Sequence, residues 1–287
     1  MRRKKKTQKT SNFVRGLVIA GLAIVAVGSG KLKTYIDWET IGQKTQIRLS
    51  DTSIHSTPTP AGLEIPAMTN GKQGQIICHT GYTLAYDAQN KTPQWVAWEL
   101  TKAETQGKEK RNDKFQEDPQ VRDVKVTNND YAGSGYDRGH MAPAGDMKWN
   151  AQAMEESFYM TNMCPQLHSL NAGDWNELEN RCREWAKKYN KVYIVCGPIY
   201  REQRNAKYIG KNRIRVPDEF YKVVLIYEKQ KTVALGFLFE HKKGQKPLKE
   251  YLTTVDHIEN ITGLDFFPAL PDDLEKRLEA EHHNKLP

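Results

Sequence analysis

The sequence predicts a single α+β domain built on an antiparallel sheet, and three observations carry that expectation. Strand-like runs of β-branched and aromatic residues occur in both halves of the chain, the few helical periodicities lie among them, and no internal repeat is present. A chain of 287 residues suits one catalytic domain of about 200 residues plus extensions better than two full domains. The mean hydropathy of -0.74 fits a soluble globular body.

The first 30 residues read as a signal or anchor. Arg2, Arg3, Lys4, Lys5, Lys6, Lys9 and Arg15 precede or border the apolar run Gly16 to Gly30, and no acid interrupts them. As a helix, about 15 residues rise about 22 Å, short of the roughly 30 Å hydrocarbon core. Such a run fits an export signal cleaved after Gly28, or an uncleaved membrane anchor; both stay open. Either way the body is expected to be exported, to the periplasm or the extracellular space. The formal charge of +8 belongs mostly to this segment: without its seven basic residues, 36 basic face 35 acidic residues, a net of +1. Any grip on an anion must therefore be local. Residues 31–72, rich in Ser, Thr, Pro and Gly around Ser56-Thr57-Pro58-Thr59-Pro60, are expected to be a flexible linker, with the domain spanning 73–287.

Within the domain, Gln75 to Tyr86 and Gln94 to Thr101 are expected to pair around a loop containing Asn90 and Pro93. Ser157 to Met163, Val192 to Ile199, Phe220 to Tyr227 and Thr232 to Phe239 are further expected strands, the last two joined at Lys229-Gln230-Lys231. Trp175, Leu178, Cys182 and Trp185 recur at helical spacing and predict a helix from about Asn171 to Tyr189. Thr254 to Thr262, stopped by Gly263, and Asp272 to His283 are two more. His79 and His241 are expected to be structural, and Trp95, Trp98 and Trp149 to be core, unless one exposed ring stacks on a base. Cys78 and Cys196 are expected to be buried thiols, and Cys164 and Cys182 are candidates for a disulfide staple.

Chemistry concentrates at Asp137-Arg138-Gly139-His140-Met141-Ala142-Pro143. If Gly135 and Gly139 permit a tight backbone, Arg138 can clamp a phosphodiester and a neutral His140 can act as general base. A second block contains Thr161-Asn162-Met163-Cys164-Pro165-Gln166 and then Asn171 and Glu179. Eight residues of helix leave Asn171 and Glu179 about 80° apart, so both can address one side. Asn171 offers a hard amide oxygen for a magnesium ion, with Glu179 ordering its waters; helix capping is the competing role for Asn171.

The two blocks together resemble the DNA/RNA non-specific endonuclease family, of the secreted sugar-non-specific and endonuclease G type. The resemblance covers roughly residues 75 to 270 and departs mildly at Met141 and Cys164. It implies a ββα-metal (His-Me finger) core, with His140 as general base and Asn171 as sole direct protein ligand of Mg2+, or of Mn2+ or another divalent cation. It also implies that Glu179 orients water, that Asn162 is an active-site asparagine, that Arg138 is the motif arginine, and that Arg111 contacts phosphate. The implied partners are DNA and RNA, held through the phosphate backbone, and a membrane through the N-terminal segment if that segment is not cleaved. The alternatives are a phosphodiesterase of the same fold acting on small nucleotides, and a non-catalytic exported nucleic-acid-binding module.

Overall fold

The computed structural model describes residues 24–28, 31–35, 60–71, 73–201, 204–228, 231–242 and 246–287. Strands β1 (Ile24–Gly28) and β2 (Lys31–Tyr35) form an antiparallel pair. This corrects the expected N-terminal helix where it is described: Ile24, Val25 and Val27 are β-branched and favour extended backbone over helix. Residues 1–23 and 29–30 of the expected signal or anchor lie outside the described residues. Among the described residues no helix is long and apolar enough to cross a membrane.

The body is a seven-stranded antiparallel sheet. Its strands are β4 (Gln75–Cys78), β5 (Thr83–Asp87), β6 (Thr92–Thr101), β9 (Lys191–Ile199), β12 (Glu219–Glu228), β13 (Lys231–Glu240) and β14 (Leu252–Thr253), in the spatial order β14-β13-β12-β9-β6-β5-β4. Side chains alternate across a strand, and here both faces are covered, so the central strands read as continuous apolar runs. In β6 and β9, Val96, Trp98, Ile194 and Cys196 enter one core, while Trp95, Ala97, Tyr193 and Val195 enter the other.

The first face is covered by a helix from Asn176 to Tyr189, whose Leu178, Cys182, Trp185 and Ala186 are buried. Each fully buried large apolar side chain there contributes about 1.5–3 kcal/mol. The opposite face is covered by the helices Val255–Thr262 and Asp272–Glu279. Thr254 caps the first of these by accepting from the His257 N–H, and Gly263 at φ +70° ends it in the left-handed region. Asp272–Glu279 stops short of the expected His283.

Several boundaries differ from expectation. Gln75 to Tyr86 is two strands, so this part of the sheet is a three-stranded meander. Ser157 to Met163 is not a strand: Ala151–Glu156 is a helix, Met160–Asn162 a 3-10 turn, and extended pairing begins only at Met163. Leu63 and Ile65, inside the expected linker, are buried in the second core. Ala67–Met68 (β3) pairs with Leu264–Asp265 (β15), so chain packing begins before Gln73, and Tyr208–Ile209 (β10) and Ile214–Arg215 (β11) form a further antiparallel pair. All four cysteines are free thiols; Cys164, Cys182 and Cys196 are buried and Cys78 is exposed. The expected Cys164–Cys182 staple is absent because both thiols are packed as apolar groups in the first core.

Candidate active site

Two short strands and one helix build the site. Strand β7 (Asp137–His140) pairs antiparallel with β8 (Met163–Gln166), Asp137 opposite Gln166 and His140 opposite Met163. A helical turn at His168–Leu170 and a π-helical turn at Asn171–Trp175 then lead into Asn176–Tyr189. Both glycines of the motif are needed. Gly135 sits at φ +81°, and a Cβ on Gly139 would lie 2.4 Å from the Gln166 side chain. Trp175 joins the two halves by donating its indole N–H to the His140 carbonyl at 3.3 Å.

The imidazole of His140 packs edge-on to Phe158 at 5.1 Å between ring centroids and tilts against Phe115 at 5.6 Å. The ring bonds to the Arg138 backbone, while Nε2 is buried without a hydrogen-bond partner. Nδ1 is therefore the donor, and the Nε2 lone pair is unpartnered. Burial, followed by the nearby Arg111 charge, pushes His140 down to about 3, so the ring is neutral across the physiological range.

Asn171 has helical dihedrals (φ -57°, ψ -50°), and its Nδ2 donates to Asp137 Oδ2 at 2.9 Å. It does not serve as a helix N-cap: no side-chain cap bond is made at that turn. Anchoring the amide nitrogen leaves Oδ1, a neutral hard oxygen, as the free end. Asp137 also pairs with His168 Nδ1 at 2.8 Å, which holds the acceptor in place. Gly173 breaks the helical geometry (φ -98°, ψ -116°), so regular 100° counting does not apply between Asn171 and Glu179. Both nevertheless line one cleft of about 480 Å³, together with Arg111, Arg138, His140 and Arg183.

Burial pushes the Glu179 carboxyl up to about 7, with Asp146 adding to the rise and the Lys222, Arg183 and Arg111 charges opposing it. His140 and Glu179 thus contribute to stability with opposite pH slopes. The lowered histidine costs stability as pH falls from 6.5 towards 3, because the unfolded ring takes up a proton that the folded one refuses. The raised glutamate loses stability as pH rises from 4.5 to 7, because the folded carboxyl holds the extra proton. Glu179→Gln is therefore expected to steepen the rise of stability over pH 4.5 to 7 by a few kcal/mol relative to the unmodified chain. Urea midpoints at pH 4.5 and 7 read this, and identical slopes in the two proteins would contradict it.

Arg138 is partly buried, its guanidinium 5.2 Å from the Phe115 centroid and 5.6 Å from that of Tyr131, with Nη2 donating to the Asn128 carbonyl. Arg111 is exposed, stands 5.0 Å from the Phe158 ring and pairs with Asp113. The two arginines flank His140 through the same pair of phenyl rings. Asn162 is not brought to the cleft. It is fully buried, its Nδ2 donating to the Ala142 and Ser157 carbonyls while its Oδ1 accepts from the Ala142 N–H. In this structure it braces the turn that follows His140. Asn162→Ala leaves three buried backbone groups unpaired and is expected to lower stability by about 3 kcal/mol. A denaturant midpoint that does not move would contradict this bracing role.

Arg183, Lys148 and Lys222 escaped the sequence reading. Arg183 lies one helical turn after Glu179, a spacing that could have revealed it, and is fixed by Asp146 at 2.6 Å and Asn180 at 2.8 Å. Lys222 is buried with Nζ 4.1 Å from the Trp175 centroid, and nothing in a strand-like run marks it as charged support for a site. His79 and His241 are structural as expected: His79 pairs with Asp118 at 2.9 Å, and His241 bridges Leu167 and Pro217.

Comparison with known proteins gives the family and the fold. The family model for DNA/RNA non-specific endonucleases matches residues 60–273. The chain is 36% identical over 226 residues to the mitochondrial nuclease EXOG of Xenopus laevis, covering 72% of this chain and 61% of that protein. It is 33% identical over 209 residues to the mitochondrial endonuclease G of Homo sapiens, covering 68% of this chain and 70% of that one. It thus spans about 61% of the length of the Xenopus EXOG nuclease. A crystal structure of an EndoG/EndoGI complex, described as showing how EndoG is inhibited, superposes with a TM-score of 0.65 at 29% identity, covering 76% of this chain and 95% of that one. These relatives are mitochondrial by name, which overturns the expectation of an exported, periplasmic or extracellular, or membrane-tethered protein.

Proposed function

The chain belongs to the DNA/RNA non-specific endonuclease family, and from that premise we propose that it is a divalent-metal-dependent endonuclease cutting DNA and RNA without reading their sequence. The observation that carries this reading is the unpartnered Nε2 of a neutral, buried His140 in the same cleft as Asn171, Glu179 and a set of cationic side chains.

Nδ1 is committed to the Arg138 backbone, so Nε2 takes the proton from a water that attacks phosphorus opposite the leaving 3′ oxygen. Arg138 and Arg111 neutralise the non-bridging oxygens. The substrate's own negative charge offsets Arg111, one of the causes that depress His140, so the base strengthens when a phosphodiester is in place. The donor set fits a magnesium ion: Asn171 offers Oδ1, and Glu179 would accept hydrogen bonds from the ion's hydration shell. When bound, that ion supplies charge neutralisation at the leaving oxygen.

Grip through phosphates rather than base edges accounts for indifference to sequence and to sugar, and a nearly neutral body confines it to the cleft. Lys148→Gln, which removes an exposed cation from the rim, is expected to raise KM on DNA and RNA alike and to reduce the salt slope of binding by about one. A change confined to one polymer would contradict backbone recognition. The reading is tested by offering plasmid DNA, a long RNA and a dinucleotide phosphodiester side by side. Rapid internal cutting of both polymers is expected, and hydrolysis of the dinucleotide alone would replace it with a small-nucleotide phosphodiesterase.

A further inference from the structure

Five carboxylates converge on the sheet face opposite the catalytic cleft. Numbering the helices in chain order, α1 is Ala151–Glu156, α2 Asn176–Tyr189, α3 Val255–Thr262 and α4 Asp272–Glu279. Asp256 and Glu259 lie one turn apart on α3, Asp265 is on β15, and Glu275 and Glu279 lie one turn apart on α4. Val255, Ile258 and Leu278, their neighbours on these helices, pack in the second core, whereas the helix carrying Glu179 packs on the first.

Two trios of oxygens form here, Asp256/Glu259/Glu279 and Asp265/Glu275/Glu279, and within each trio the ligand atoms lie within 4.8 Å of one another. Glu279 is common to both. It is only 6% exposed, and its Oε1 is buried with no hydrogen-bond partner. Glu259 is held in place by the Phe266 N–H, which donates to its Oε1 at 2.7 Å. Among the described residues no lysine or arginine forms an ion pair with Asp256, Glu259 or Glu279.

We propose that Asp256, Glu259 and Glu279 form a binding site for one calcium-class divalent cation, distinct from the catalytic cleft, that ties α3 and α4 together, with Asp265 and Glu275 adding negative charge on the other side of Glu279. The ligand chemistry selects the ion: a set made of carboxylates alone suits calcium, which takes about six to eight oxygens in adaptable geometry, whereas magnesium demands a near-ideal octahedron and keeps several of its waters. Several carboxylates with adaptable geometry also match the coordination that calcium prefers.

The test is calorimetric titration of the full chain carrying Asn171→Ala, which removes the proposed catalytic metal ligand, with calcium chloride and in parallel with magnesium chloride at pH 8. One equivalent of calcium is expected to bind and to raise Tm by about 5 °C, with magnesium giving a smaller shift. Glu279→Gln and, separately, the more exposed Asp256→Asn are each expected to weaken calcium binding at least about tenfold. Absence of calcium binding up to about 5 mM, or a calcium response that survives both substitutions, overturns the proposal. The outcome is independent of nuclease activity, because the chain being titrated lacks Asn171.

Discussion

His140→Ala is expected to reduce kcat by about 10²–10⁴-fold on DNA and on RNA while leaving KM and nucleic-acid binding nearly unchanged. The ring is positioned by Phe115, Phe158 and the Arg138 backbone, and its one free atom is Nε2. The substitution therefore removes a proton acceptor without removing any of the cations that grip phosphate. Fluorescence anisotropy and a single-turnover cleavage assay on the same labelled duplex separate the two effects. An unchanged kcat would remove His140 from the chemistry, and loss of binding would make it a substrate contact.

Asn171→Ala carries the second large effect. It deletes the amide oxygen that Asp137 orients, and half-maximal activity is expected to require about 10–100-fold more magnesium. Asn171→Asp is expected to be a poor substitute despite its extra charge. Its carboxylate would face Asp137 Oδ2, which now receives an N–H at 2.9 Å, and two like charges at that distance repel. An Asn171→Ala protein with an unaltered magnesium requirement would show that Asn171 is not a ligand.

Much of the fold could be read from the chain because burial on both sheet faces imposes simple patterns. The runs around Trp95–Trp98 and Val192–Ile199 are apolar at every position and lie at the centre of the sheet. The stripe Trp175, Leu178, Cys182, Trp185 marks the helix that covers it. The two halves of the candidate site are legible for a different reason: Gly135 and Gly139 mark a backbone that other residues cannot follow, and His140 lies between Arg138 and a closing turn. What escaped depends on long-range contacts. Whether Asn162 braces a turn or faces substrate depends on Ala142 and Ser157, and no local spacing reveals it. Lys222 is charged within a strand that otherwise looks like core, and its purpose appears only where Trp98, Trp175 and Glu179 surround it. The apolar segment before Gly30 satisfies a signal pattern, yet its described part is extended and pairs with Lys31–Tyr35.

We propose that one cleft, with a neutral His140 base and a cation held at Asn171, cuts the phosphate backbone of either nucleic acid. It is tested most directly by incubating the purified chain with supercoiled plasmid and with a long RNA, in magnesium and in excess chelator, and analysing the ends produced. Degradation of both polymers to 5′-phosphate fragments in magnesium, with neither cut in chelator, is the predicted result. Intact plasmid and RNA in magnesium, with both still bound by the protein, would contradict it.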